Sequence, residues 1–326
     1  MKDVRAAMNT IPIIFNQRSI NRTVLGGKQR PAQPKMNVSA ILINTHGSHL
    51  RIKNLEILQR AGFEKIISME PNGDNYNLED FVNKFPDVKF IVPQEEVTTG
   101  DLINIGMEEV SSDYVLVLND SLSLSAFRIS PVAIQKLADR KQYCYVPRLF
   151  IDKTQTLPIN LIPHVEKGVL KVEAVESLQD NTPTLYPCDF IGLYNHQKFI
   201  QLGGYDYTLE SPYWQNLDLS MRAWLWGERI SITTTLGLSY LENAPVEDVT
   251  SNLSQFRFYL KNLAPNFVLD HGEIPFKTLF RMLRRSACGF VETINQFKDA
   301  RNWVEKNQYR FKTDASLLIS NWGSEK

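Results

Sequence analysis

Three small clusters of polar residues each stand directly after a short apolar run. Asn44 and Thr45 close the run that starts at Val38. Glu70, Asn72 and Asp74 follow Lys65–Met69, and Asn119, Asp120 and Ser121 follow Tyr114–Leu118. Carboxylates and amides of this kind accept hydrogen bonds from hydroxyls, and a carboxylate also offers hard oxygen to a cation. Each cluster alone is an ordinary polar loop. Together they suggest a nucleotide-sized site, provided the apolar runs are parallel strands, because ligands of such sheets bind beyond the carboxyl ends. A second constellation lies between Gly203 and Gly227. Gly203-Gly204 suits a tight turn, and Trp214, Leu217, Met221 and Leu225 recur at helical spacing. Asp218 and Arg222 stand one helical turn apart and can pair. Gly227 is a C-cap candidate.

The elements between these residues supply the condition. Val38–Thr45, Lys65–Met69, Val88–Val92 and Tyr114–Leu118 read as strands. His49–Gly62, Asn77–Phe85 and Thr99–Val110 read as helices between them. Strands alternating with helices predict βαβ crossovers and a mostly parallel sheet, hence an α/β fold. Val132–Leu137 predicts a further helix and Tyr143–Val146 a fifth strand. Residues 150–185 suit an irregular excursion with a hairpin, and Arg229–Thr234 alternates as a final strand. From Asn252 the composition is helical.

Composition narrows the classes. Thirty-six basic and 36 acidic residues cancel, which gives no support to a nucleic-acid binder. Cys144, Cys188 and Cys288 form neither a zinc motif nor a disulfide framework, and fit a reducing compartment. No run of 18 apolar residues predicts a membrane span, and residues 1–36 lack the apolar core and cleavage site of a signal peptide. Those residues read as a mobile extension with a short docking segment near Ile11–Phe15.

The stretch Gly203 to Gly227 resembles the acceptor-side motif of GT-A fold glycosyltransferases, above all family 2. Gly203, Gly204, Asp206, Asp218, Leu219, Arg222 and Gly227 match, while Gln215-Asn216 replaces the family's Glu-Asp pair. Met69–Asp74 looks like the family's acidic run that holds the nucleoside. Thr99–Gly106 looks like its helix beneath the nucleotide, and Asn119-Asp120-Ser121 stands where its metal-binding Asp-x-Asp would be. The resemblance covers about Val38 to Tyr240.

It implies a GT-A domain over 37–245, with a helical C-terminal region over 246–326. It implies a nucleoside diphosphate sugar donor and a glycan, lipid or protein acceptor, joined by inverting single displacement. Thr45, Glu70, Asn72, Asp74, Gly100, Asn104 and Asn119 are then expected on the donor. Asp120 and Ser121 are expected on a divalent cation, Mg or Mn. Asn216 occupies the base position, but an amide cannot take a proton, so Asp206, Glu210 or Asp218 has to serve. Glu210, in the loop before the helix, is freer to face an acceptor than Asp218 with Arg222 beside it. The family's late His is replaced within Thr235–Ser239. The alternative is an inactive GT-A domain that binds a nucleotide sugar, a glycan or a protein. Phe276–Cys288 is basic and amphipathic; it reads as a helix packed on its own domain with its charges solvated, or at a dimer contact, and the alternative is peripheral docking at the inner face of a membrane from a cytoplasmic location.

Overall fold

The computed structural model describes residues 18–28, 36–44, 49–72, 78–151, 155–241, 244–285 and 289–324. Its centre is a 10-stranded sheet. The strands in chain order are β1 (Arg22–Gly26), β2 (Val38–Ile43), β3 (Ile66–Met69), β4 (Val88–Pro93), β5 (Tyr114–Asn119) and β6 (Leu122–Ser123). They continue with β7 (Cys144–Ile151), β8 (Gln155–Thr156), a separate hairpin of β9 (Asn160–Glu166) and β10 (Val169–Val175), then β11 (Gly192–Asn195) and β12 (Ile230–Tyr240). The sheet order is β1-β4-β3-β2-β5-β11-β7-β12-β6, with β8 beside β7.

β4, β3, β2 and β5 are mutually parallel, as the alternating pattern predicts. β2 is buried at every position, which its unbroken apolar run requires when both faces are covered. The covering helices are α1 (Arg51–Ala61), α2 (Leu78–Lys84) and α3 (Thr99–Glu108). α3 begins with a capping box: Asp101 N donates to Thr98 Oγ1 at 3.2 Å, and Thr98 N to Asp101 Oδ2 at 3.1 Å.

Two features depart from the sequence reading. Arg22–Gly26, expected in a mobile extension, is an edge strand antiparallel to β4. Arg22 fixes it to the end of α3 through Glu108 and Glu109, each at 3.0 Å. Second, β11 runs antiparallel between β5 and β7, interrupting the parallel order. Just before it, Cys188–Phe190 make a 3-10 turn, with Asp189 at φ 51° and Phe190 at φ 60°.

α4 (Pro131–Asp139) and α5 (His196–Leu202) precede α6 (Pro212–Leu225), which carries the Gly203–Gly227 motif. Ten further residues of α6 besides Trp214 and Gln215 are buried, so it is a core helix rather than a surface one. The C-terminal elements are α7 (Leu253–Phe258), a π-turn at Tyr259–Leu263, the hairpin β13 (Asn266–Val268) and β14 (His271–Glu273), α8 (Lys277–Arg285), α9 (Phe290–Asn307) and α10 (Ala315–Ser320). They pack on α6 and its end. Trp303 stacks on Trp226 with ring centroids 6.0 Å apart, and Trp322 meets Trp224 at 4.8 Å. Among the described residues no helix is long and apolar enough to cross a membrane.

Candidate functional site

β5 ends where its neighbours end, and the chain turns there through Asn119, Asp120 and Ser121. These residues line a cleft of about 420 Å³ with Asp189, Phe190, Pro212, Tyr213 and Asn216. Residues 245–248, from the segment between β12 and α7, complete its wall. That segment is pinned to α6 by the Trp214 indole, which donates to the Thr250 carbonyl at 2.9 Å.

Asp189 is held in the left-handed region by the turn that ends against β11. A non-glycine residue there carries backbone strain, a feature that clusters at functional sites. Tyr240 donates to Asp189 Oδ2 at 3.0 Å, and the Asn119 amide donates to the same oxygen. Oδ1 has no hydrogen bond to any described residue. Burial pushes the Asp189 carboxyl up from its ordinary 3.8 to about 6; the Tyr240 and Asn119 bonds pull it back, while the charges of Glu247 and Asp120 add to the rise. Glu247 is also pushed up by burial, against the pull of the Tyr186 hydroxyl, which donates to it at 2.6 Å. The cleft therefore gathers carboxylates whose charge is not cancelled.

Asn216 lies in the same cleft. Its amide donates to the Pro187 carbonyl at 2.7 Å, and its Oδ1 is buried with no partner. Ser121 donates to Asn119 Oδ1 at 2.6 Å, so both ends of the Asn119 amide are engaged within the cluster. Asp120 is the carboxylate of that cluster and is 2% exposed. Among the described residues no three His, Cys, Asp or Glu side chains are grouped to hold a metal ion. Asp120 and Ser121 offer few protein oxygens, so a Mg or Mn ion held there would complete its six or so ligands with water and the phosphates of a donor.

A second polar group lies at the ends of β2 and β3. Glu70 is buried and accepts from Arg51 at 2.7 Å, from Ser68 at 2.7 Å and from Asn44 at 3.2 Å, all on Oε1. Glu70 Oε2 and Asn44 Oδ1 are buried without partners, and such acceptors call for a donor from water or ligand. Burial pushes the Glu70 carboxyl up, with Arg51 opposing and Asp120 adding to the rise, which places the two strand-end clusters within electrostatic reach. Asn72 is exposed in the turn that follows. Thr45 and Asp74 lie outside the described residues, as does the segment Ile11–Phe15.

Other residues expected at the site hold the scaffold. Gly100 N donates to Gln215 Oε1 at 3.1 Å, and Gln215 Nε2 donates to the Asp206 carbonyl at 3.0 Å. A Cβ on Gly100 would lie 2.5 Å from the Gln215 side chain, so the glycine is what lets α3 and α6 touch. Asn104 bonds the backbone of Tyr205 twice, accepting at 2.9 Å and donating at 2.8 Å. Asp218 is fully buried and bonds Arg222 at 3.1 Å, Lys261 at 3.0 Å and Asn262 at 2.7 Å. Lys261 also meets Asp206 at 2.7 Å, and Arg222 donates to the Gly204 carbonyl at 2.8 Å. Glu210 is exposed and faces a different cleft, of about 680 Å³, with Arg18, Asp101 and Arg257. The structure thus brings Asn119, Asp120, Ser121 and Asn216 together and leaves Glu210 and Asp218 elsewhere.

Sequence reasoning passed over Asp189 and Glu247. A lone acid between Cys188 and Phe190, in an otherwise apolar stretch, was the available signal for the first. Glu247 sits in an irregular segment and offered none.

No family model matches the chain, and no curated protein matches it significantly. Among solved structures, the crystal structure of GalNAc-T7 with UDP, GalNAc and Mn2+ aligns with a TM-score of 0.59 at 12% identity. The alignment covers 88% of this chain and 56% of that one, so the chain spans little more than half the neighbour's length. With the strand order, the covering helices and the cleft beyond β5, this likeness establishes the architecture: the chain has the GT-A fold of glycosyltransferases.

Proposed function

We propose that the chain transfers a sugar from a nucleoside diphosphate sugar to an acceptor hydroxyl, with Asp189 as the base. The observation that carries this reading is the placement of Asp189: a strained, mostly buried carboxylate in the cleft beyond β5 of a GT-A fold. A base that titrates near pH 6 is ionised at neutral pH and still able to take a proton. In the step, the acceptor oxygen attacks the anomeric carbon and its proton passes to Asp189. The bond from that carbon to the diphosphate oxygen breaks, and the carbon inverts. The nucleoside lies toward Asn44, Glu70 and Asn72, where Glu70 Oε2 and Asn44 Oδ1 accept from its donors. The structural neighbour was crystallised with a nucleoside diphosphate, a sugar and Mn2+, which supports a donor of this class. A bare diphosphate would meet the carboxylates of Asp189 and Glu247, whose hydrogen-bond partners are neutral, so the donor enters with its divalent cation as part of the substrate.

One observation favours a second reading, a GT-A domain that binds without turnover. The stations that the resemblance equips with acids carry the amides Asn119, Gln215 and Asn216 and the hydroxyl of Ser121 here, and Gln215 is committed to Gly100 and Asp206. Calorimetric titration with uridine and guanosine diphosphate sugars, with and without Mn2+, separates the readings when followed by donor-hydrolysis assays. Ion-dependent binding with turnover that Asp189→Asn abolishes supports transfer. Binding with no turnover on any acceptor supports the second reading. Absence of binding to every donor sinks both nucleotide-based readings.

A further inference from the structure

The C-terminal region carries a surface that the cleft does not use. Phe276 is 56% exposed and Phe280 62%, and their rings meet edge to face at 6.3 Å. Phe290 and Val291, which open α9, are 67% and 70% exposed. The other side of α8 is anchored: Thr278 and Met282 are buried, and the Phe276 ring leans on buried Phe297 at 6.1 Å. The exposed rings therefore stand on a fixed platform. From Ile274 to Val291 the sequence has no acidic residue, and it carries Lys277, Arg281, Arg284 and Arg285. Since the whole chain is neutral, this is local segregation of charge.

We propose that α8 and the first turn of α9 form a docking surface for an anionic lipid bilayer. Aromatic rings settle at the boundary between headgroups and acyl chains, while basic side chains of the same helix meet anionic headgroups. The charge also argues against a second copy of the chain as the occupant. A symmetric contact through this patch would set four basic residues of each copy against four of the other, with only Glu273 and Glu292 at its edges to answer them, so like charge outnumbers opposite charge across it.

The test is co-sedimentation of the full chain with vesicles of phosphatidylcholine alone and of phosphatidylcholine mixed with phosphatidylglycerol. Binding is expected to the mixed vesicles, weakening as salt rises. Phe280→Glu should weaken it at least about tenfold, and joint Arg284→Gln and Arg285→Gln substitution about 25-fold, at about fivefold per charge. Phe280→Glu should keep the parent melting temperature, since Phe280 is exposed. If Phe280→Glu melts early, Phe290→Ser provides the same readout from α9. Asp189→Asn should bind vesicles as the parent does, so this result is independent of the cleft's chemistry. Equal binding to both vesicle types, or none to either, overturns the proposal. So does light scattering that shows a dimer dissolved by Phe280→Glu, which would make a second copy the occupant.

Discussion

Two groups of acids flank α6, and they are treated in opposite ways. Around Asp206 and Asp218 each carboxylate oxygen has a partner. Asp206 takes Lys261 on one oxygen and the Thr208 amide and hydroxyl on the other. Asp218 takes Arg222 and Lys261 on one and Asn262 on the other. Two negative charges meet two positive ones, and Trp303 closes the group, 5.0 Å from the Lys261 ammonium. In the cleft the partners among the described residues are neutral: the Asn119 amide and the Tyr240 hydroxyl for Asp189, the Tyr186 hydroxyl for Glu247, and none for Asn216 Oδ1. The first arrangement cancels its own field and holds the backbone at Gly204. The second keeps its field and raises its own proton affinity. The acids most visible in the motif therefore build the frame, and less visible ones face the ligand space.

The comparison can be broken most sharply at Asp189. Asp189→Asn keeps the shape and removes the base, and should lower turnover by about 10²–10⁴-fold in a donor-transfer assay. On the framed side, Lys261→Met leaves two buried carboxylates with one cation between them. It should cost about 3–5 kcal/mol in a denaturant titration. Gly100→Ala should cost about 1–3 kcal/mol through the clash with Gln215. The smallest effect is the most diagnostic. The folded state keeps the Asp189 proton to about pH 6, while the unfolded chain releases it near 3.8. Between those values the folded state binds more protons, so this residue's contribution to stability falls as pH rises. Asp189→Asn should flatten that decline, and Tyr240→Phe, which removes a bond that favours the charged form, should move it to higher pH. A stability profile that Asp189→Asn leaves unchanged would show that the cleft acids are as settled as the framed ones.

Local pattern was enough to read the first half of the chain and the motif helix. Val38–Ile43 is apolar throughout and buried throughout, and Gly62 ends α1 at φ 83° as a left-handed cap. The Asp218–Arg222 pair was legible from spacing alone. What escaped was non-local. Lys261 joins Asp206 and Asp218 from a segment more than 40 residues further on, and no periodicity announces that meeting. Asn104 and Gly100 look like ligand contacts in a motif, yet their partners are Tyr205 and Gln215, on the far side of the chain. Arg22–Gly26 is short and ends in a glycine, so its pairing with β4 is decided by the edge it joins and not by its own propensity.

The π-turn at Tyr259–Leu263 sets the phase of the helix that holds Lys261. Ala264 N reaches back five residues to the Tyr259 carbonyl at 2.9 Å, one step further than an α-helix would. Each residue advances an α-helix by about 100°, so one residue fewer before Lys261 would swing its ammonium about a quarter-turn away from both aspartates. Chain length in this turn is thus an angular setting. It lets a C-terminal helix reach the Gly-Gly corner at the bearing its two acids require, and a single-residue deletion here would detune the corner without touching it.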